Sequence, residues 1–255
     1  MVFFSIIFPT EDQMRKQRFY HADTIDVGQT IELDQTNSHQ IIKVLRLKPD
    51  QELWLFNNTA YEFKVNIQKI IKTAVIVTVL EQSPNDKESP CNIHLVQAIA
   101  KGQKMDYIIQ KAVELGVSCI TPLRSERTIV NIAEEKIPQR LEHWEKIIIN
   151  ACCQCGRSIV PPIYPPIAFK EWLIKNQASV NIILDPTSDM SLTKLPVENS
   201  ANLIIGPEGG FSEDELAWGK KHGCLKVFLG RRILRTETAS IVAIAGLQLQ
   251  YGDLT

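Results

Sequence analysis

Long apolar runs are missing from this chain. None approaches the roughly 20 residues that a membrane-spanning helix requires, so no membrane span is expected. The N-terminal run Met1-Val2-Phe3-Phe4-Ser5-Ile6-Ile7-Phe8 is short and has no basic lead, which makes it a poor signal peptide. Cysteine is scarce: six in 255 residues do not suggest the disulfide scaffold of a small secreted domain. A cytoplasmic protein with reduced thiols is the expectation. Charge of one sign is also lacking. The formal net charge is −1, so any contact with nucleic acid must come from local basic patches.

Several familiar motifs are absent as well. There is no G-x-x-x-x-G-K-[ST] phosphate loop and no G-x-G-x-x-G after a strand, which leaves a standard dinucleotide site unsupported. There is no H-E-x-x-H and no G-x-S-x-G. The five histidines, His21, His39, His94, His143 and His222, are scattered and read as surface or satisfied core residues. Cys152-Cys153-Gln154-Cys155 holds one C-x-x-C spacing without a second pair. It continues the helical spacing of Leu141, Trp144, Ile148 and Ala151, so buried small side chains are expected there and no metal.

What is present starts with 44% hydrophobic residues, enough core for one large domain or two smaller ones. Residues 1–73 are β-rich, with strand character at 30–33, 52–56 and 61–65 and a hairpin turn at Asn57-Asn58. His39–Arg46 reads as a short helix with Ser38 as its N-cap. A small barrel is expected. Residues 74–80 form another strand, and the polar, proline-flanked stretch 82–90 is a loop or linker. The boundary is drawn at 73/74, giving domains 1–73 and 74–255.

From residue 92 strand and helix alternate, which implies a mostly parallel α/β sheet. Strands are expected at 93–99, at 117–121 (stopped by Pro122) and at 181–185 (ended by Pro186). Helix 103–115 buries Met105, Ile108, Ile109, Ala112 and Val113 and ends at Gly116. Helix 139–155 is closed by Gly156, and Pro161–Pro166 is a stiff connector. Ser212-Glu213-Asp214-Glu215 is a capping box. The last helix, 237–250, is apolar almost all round and belongs in a core or a subunit interface.

Two stretches stand out. Gly206-Pro207-Glu208-Gly209-Gly210 follows the strand-like Asn202–Ile205, and Leu229–Ala239 follows Lys226–Leu229. Each has glycine at a strand end and leads into a helix, where α/β sheets bind ligands. Either turn alone could be an ordinary tight turn. The pair, bordered by Lys220, Lys221, Lys226, Arg231, Arg232 and Arg235, favours a site.

GPEGGFSEDEL at 206–216 and LGRRILRTETA at 229–239 resemble the C-terminal signature of the SPOUT methyltransferases that modify N3 of a uridine in 16S ribosomal RNA, the RsmE family. HQIIKVLRLKPDQELWLF at 39–56, the stretch 98–130 and QCGR at 154–157 are similar to that family's other motifs. The resemblance implies a C-terminal SPOUT domain with a deep trefoil knot, preceded by a PUA-like RNA-binding barrel. It implies a homodimer and S-adenosyl-L-methionine as cofactor. The matching cofactor positions are Gly206, Pro207, Glu208, Gly209, Gly210, Leu229, Gly230, Ile233 and Leu234, with Leu184 as a weaker third-loop candidate.

Uracil N3 carries a proton, so a base or an anion-stabilising cation helps its methylation. Arg127 and Arg235 are candidates for the uracil oxygens or a neighbouring phosphate, or are structural ion pairs. Glu237 is a candidate base, or orients Arg235. Lys43, Arg46, Lys101, Lys104, Lys111, Arg124, Gln154 and Arg157 are the candidate RNA contacts on the small subunit or its precursor. The rivals are a SPOUT enzyme acting on transfer RNA or a ribose 2′-hydroxyl, and a non-catalytic RNA-binding protein on the same fold.

Overall fold

A computed structural model describes residues 16–176, 180–195, 197 and 199–254, so the apolar run 1–8 lies outside the described residues. The chain divides into two compact units: residues 1–87 with 156–159, and residues 88–155 with 160–255.

The first unit is a five-stranded sheet: β1 (Arg18–Tyr20), β2 (Thr30–Glu32), β3 (Glu52–Phe56), β4 (Tyr61–Ile71) and β5 (Ala74–Pro84), in the order β1-β3-β4-β5-β2. β1 runs parallel to β3 and the other pairs are antiparallel. Alternate residues point inward, so Leu53, Leu55, Val65, Ile67, Val75 and Val77 form its core with Phe19 and Ile41. Because β5 pairs along nearly its whole length with β4, the expected boundary at 73/74 moves to 87/88. Residues 82–84, expected as loop, close that strand.

The expected helix at 39–46 is an α-helix α1 (Gln35–His39) running into a π-helical stretch, Gln40–Leu45. Its N-cap is Asp34, whose carboxylate accepts from the Asn37 N–H at 2.8 Å, not Ser38. Ser38 is buried, donates to the Leu33 carbonyl and accepts from the Val75 N–H.

The second unit is a six-stranded, all-parallel sheet. Its strands are β6 (Asn92–Ala98), β7 (Cys119–Arg124), β8 (Ile167–Ala168), β9 (Val180–Leu184), β10 (Ser200–Ile205) and β11 (Leu225–Val227), in the order β11-β9-β10-β6-β7-β8. Five helices cover it: α2 (Lys104–Glu114), α3 (Ile137–Cys155), α4 (Phe169–Lys175), α5 (Glu213–Lys221) and α6 (Thr236–Tyr251). α2 packs on α3 and α6, α6 packs on β10, and α4 packs on α5. α2 buries the five residues its period predicts. Val96, Ile183 and Ile204 of the sheet meet Phe169, Trp172 and Phe211 in one cluster.

Pro122 does not stop β7, which runs on to Arg124. Ile120 bonds Pro162 and Tyr164 on the outer side of β7, so the proline two residues on turns its missing N–H to that side. β8 pairs there only from Leu123, so the missing N–H falls before that ladder begins. Cys152 is buried and Cys153 and Cys155 are half-buried. Among the described residues no three His, Cys, Asp or Glu side chains are grouped to hold a metal, and no helix is long and apolar enough to cross a membrane.

Candidate cofactor site

Three loops leave the carboxyl ends of the neighbouring parallel strands β11, β9 and β10, at one end of the sheet. The loop after β10 is tied down along its length. Gly210 has φ +67, a conformation that favours glycine, and its N–H donates to the Pro207 carbonyl at 2.9 Å. Arg127 Nη1 donates to the Gly209 carbonyl at 2.9 Å. The Glu208 carboxylate accepts from the Lys101 N–H at 3.4 Å and from Lys104 Nζ at 3.1 Å. Burial opposes ionisation of Glu208, but its own backbone N–H, Lys104 and the Lys101 N–H outweigh that and hold its carboxyl below the usual range.

The capping box is present: Ser212 and Glu215 exchange side chain-to-backbone bonds at the start of α5. Glu215, only 2% exposed, also accepts the Glu126 N–H at 3.0 Å. It thereby fastens the segment carrying Arg127 to the helix behind the glycine turn. Sequence alone assigned Glu215 only to the cap.

The loop after β11 differs. Gly230 has φ +83, and a Cβ placed there would find no atom within 4 Å. Leu229 and Leu234 are half-buried, whereas Arg231, Arg232 and Arg235 are exposed and Ile233 is 87% exposed. The loop after β9 turns on Asp185, which is 5% exposed. Its carboxylate accepts from Thr187 at 2.9 and 2.8 Å and from Lys226 Nζ at 2.9 Å. Burial pushes against its ionisation, yet Lys226 and Thr187 hold the carboxyl below the usual range. Leu184, half-buried, precedes it.

A buried chain of hydrogen bonds joins two of these loops. Ser240 donates to Gln97 Oε1 at 2.6 Å, Gln97 Nε2 donates to Thr236 Oγ1 at 3.1 Å, and Thr236 Oγ1 donates to the Gly206 carbonyl at 2.8 Å. Gln97 was not among the expected site residues. In the structure Gln97 is fully buried on β6, and its amide needs the partners it finds there.

Glu237 lies 3.9 Å from Lys104 Nζ, and among the described residues no ion pair joins it to Arg235. Lys104 thus bridges Glu208 and Glu237. The other expected RNA contacts are spread out. Lys43 and Arg46 are exposed in the first unit; Lys101 and Gln154 are exposed in the second. Lys111 is paired with Glu114 at 2.8 Å and Arg124 with Glu134 at 2.7 Å. Arg157 is 4% exposed, which keeps its guanidinium from serving as a surface phosphate contact.

Comparison with known proteins agrees with this geometry. A model of the RNA methyltransferase domain matches residues 87–248, and one of the RNA methyltransferase PUA domain matches residues 33–80. The ribosomal RNA small subunit methyltransferase E of Buchnera aphidicola from Acyrthosiphon pisum is 41% identical over 239 residues, spanning 92% of this chain and 94% of that protein. The chain belongs to this methyltransferase family. A putative methyltransferase from Legionella pneumophila, solved with bound S-adenosylmethionine, is 40% identical with a TM-score of 0.91, covering 94% of this chain and all of that one. The family's small subunit methyltransferase E from Neisseria gonorrhoeae, bound to the same cofactor, is 36% identical with a TM-score of 0.89 over 94% of this chain and all of its own. The mixed architecture with a PUA domain ahead of a parallel sheet is therefore the family's fold.

Proposed function

We propose that the protein transfers a methyl group from S-adenosylmethionine to N3 of one uridine in 16S ribosomal RNA, in the cytoplasm, on the small subunit or a late precursor. The observation that carries this is the set of three loops at the ends of β9, β10 and β11, two of them joined through Thr236. The residues present suit the cofactor. Gly210 and Gly230 leave open space where a side chain would otherwise stand, and Ile233 and Leu234 offer apolar surface. Bound there, the cofactor supplies an electrophilic methyl on a sulfonium.

The remaining work falls to the chain. Gly206, Pro207, Glu208, Gly209, Gly210 and Leu229 form the cradle with Leu184 beside it. Arg235, exposed at the head of α6, takes a uracil oxygen or a neighbouring phosphate. Arg127 spends one N–H on the Gly209 carbonyl and shapes the cradle as well as facing the RNA. Glu237, 3.9 Å from Lys104 Nζ, receives the N3 proton. Since N3 lies on the pairing edge, the uridine must be unpaired or flipped out.

The first unit serves as the RNA-binding domain, through Lys43 and Arg46, and the second as the methyltransferase domain, with the trefoil knot and the homodimer of its family. Val242 and Leu249, 43% and 64% exposed on α6, are the apolar surface available for that dimer.

The test is mass spectrometry of 16S nucleosides from a deletion strain, restored with the parent gene or with Arg235→Ala. N3-methyluridine should vanish, return with the parent, and return poorly with the variant. Methylation persisting in the deletion strain refutes the assignment. Single-turnover kinetics at saturating RNA then locate the defect: a rate that stays low places Arg235 in the transition state, and full recovery makes it a docking residue.

A further inference from the structure

The first unit carries an open cavity of about 380 Å³, most of whose lining side chains are exposed. That is the scale of a site for one small molecule. One wall is the passage from α1 into the π-helical stretch; the other is the two-residue corner Lys72-Thr73 between β4 and β5. Lys43, Lys72 and His39 line it, Ile42 supplies an apolar wall, and no acidic residue takes part.

The backbone on both sides is unusual. A π-helix is rare and is frequently found at functional sites. Lys72 has φ 53 at a hairpin corner where asparagine or glycine is the usual residue. A lysine kept in that conformation costs stability, and such residues gather at ligand sites. Two lysines without a carboxylate suit phosphates, and an imidazole beside an aliphatic wall suits the face of a base.

We infer that this cavity holds one unpaired nucleotide of the RNA substrate, with Lys43 and Lys72 on its flanking phosphates and His39 and Ile42 against its base. The inference rests on the RNA methylation proposed above. An unpaired nucleotide is required because a base inside a duplex has no free face to offer.

Binding of a fluorescent ten-nucleotide single-stranded RNA to the full-length protein, followed by anisotropy, tests it. Lys72→Asn relieves the left-handed strain while removing the cation. It should melt at a higher temperature than the parent yet bind the RNA at least about threefold more weakly. Thr36→Trp fills the cavity without changing charge and should weaken binding about fivefold or more. Lys48→Ala, an exposed lysine of the same unit outside the cavity, should change it less than about twofold.

Parental affinity in both cavity variants overturns the inference. So does a loss in Lys48→Ala equal to that in Lys72→Asn, which would mean diffuse attraction only. Uridine monophosphate should compete at least about tenfold more weakly than the decamer; equal competition would make this a free-nucleotide site and overturn it. Methylation of small subunits by the parent is measured alongside. A parent that methylates while both cavity variants bind normally sinks the cavity alone. A parent that neither methylates nor binds RNA sinks both readings.

Discussion

The two glycine loops of the second unit begin alike in sequence and end differently in structure. The loop after β10 is held by Arg127, Lys101, Lys104, Thr236 and the capping box of α5. In the loop after β11, among the described residues, no side chain from 229 to 235 makes a hydrogen bond or ion pair, and Ile233 stands 87% exposed. The first loop is shaped before any ligand arrives. The second has no such side-chain ties, so on the cofactor assignment proposed above the entropy of ordering falls mainly on it.

The largest effect on stability should come from acid, acting in the sheet beneath the first loop. His94 on β6 bonds Thr121 Oγ1 at 2.8 Å and the side chain of Asn202 on β10, the strand that carries this loop. Burial lowers its pKa to about 4, with the Asn202 bond opposing. Between about pH 6.5 and 4 the unfolded chain binds the proton and the folded one does not. Stability therefore falls as pH falls through that window, by up to about 3 kcal/mol at 1.36 kcal/mol per unit. Urea unfolding at pH 7, 5.5 and 4 measures it; His94→Phe should flatten the His94 part of the slope.

Gly210→Val attacks the shaped loop directly. A β-branched residue at φ +67 costs about 1–3 kcal/mol. Calorimetric titration should show cofactor affinity reduced about 10- to 100-fold. Gly209→Val should do less: Gly209 lies outside the left-handed region, and its Cβ would meet Arg127 at an ordinary 3.5 Å. Equal losses at the two positions would mean that the backbone conformation of Gly210 is not what holds the cradle.

Thr236→Val cuts the joint between the loops. It keeps the shape but removes the hydroxyl donor of the Gly206 carbonyl and one of the acceptors of the Gln97 amide, which keeps its bonds to the Ala98 carbonyl and Ser240, at about 1–3 kcal/mol. Thermal unfolding should show that loss, and cofactor affinity should fall by less than in Gly210→Val. An unchanged melting temperature would mean that water replaces the hydroxyl at no cost.

How much of this was legible beforehand divides along the same line. α2, the capping box of α5 and the glycine turns follow from spacing and from local conformational demands, and these survive in a one-dimensional reading. The joint does not. Gln97, Thr236 and Ser240 meet across up to 143 residues, and Lys104 reads as a surface cation until Glu208 and Glu237 arrive from other loops. Pro122 looked like a strand end only because the gap beside its missing N–H depends on where β8 starts. Ser38 looked like a cap because its donor, Val75, comes from another strand and is not visible in a local window.

The smallest effect on stability should come from the open loop, and it is the sharpest test of the contrast. Ile233→Ser removes an apolar side chain that is already 87% in water, so unfolding free energy should move by no more than about 0.5 kcal/mol. If ligand binding folds this loop over the cofactor, the same side chain loses its exposure only in the complex. Its truncation then forfeits roughly 1–1.5 kcal/mol of apolar burial at about 25 cal/mol per Å². Cofactor affinity should fall about five- to tenfold, with the heat capacity change of binding less negative than in the parent. A stability loss as large as the affinity loss would show Ile233 buried in the free protein. Parental affinity with parental stability would show that the loop stays open over its ligand, and the division of labour between the two turns would fail.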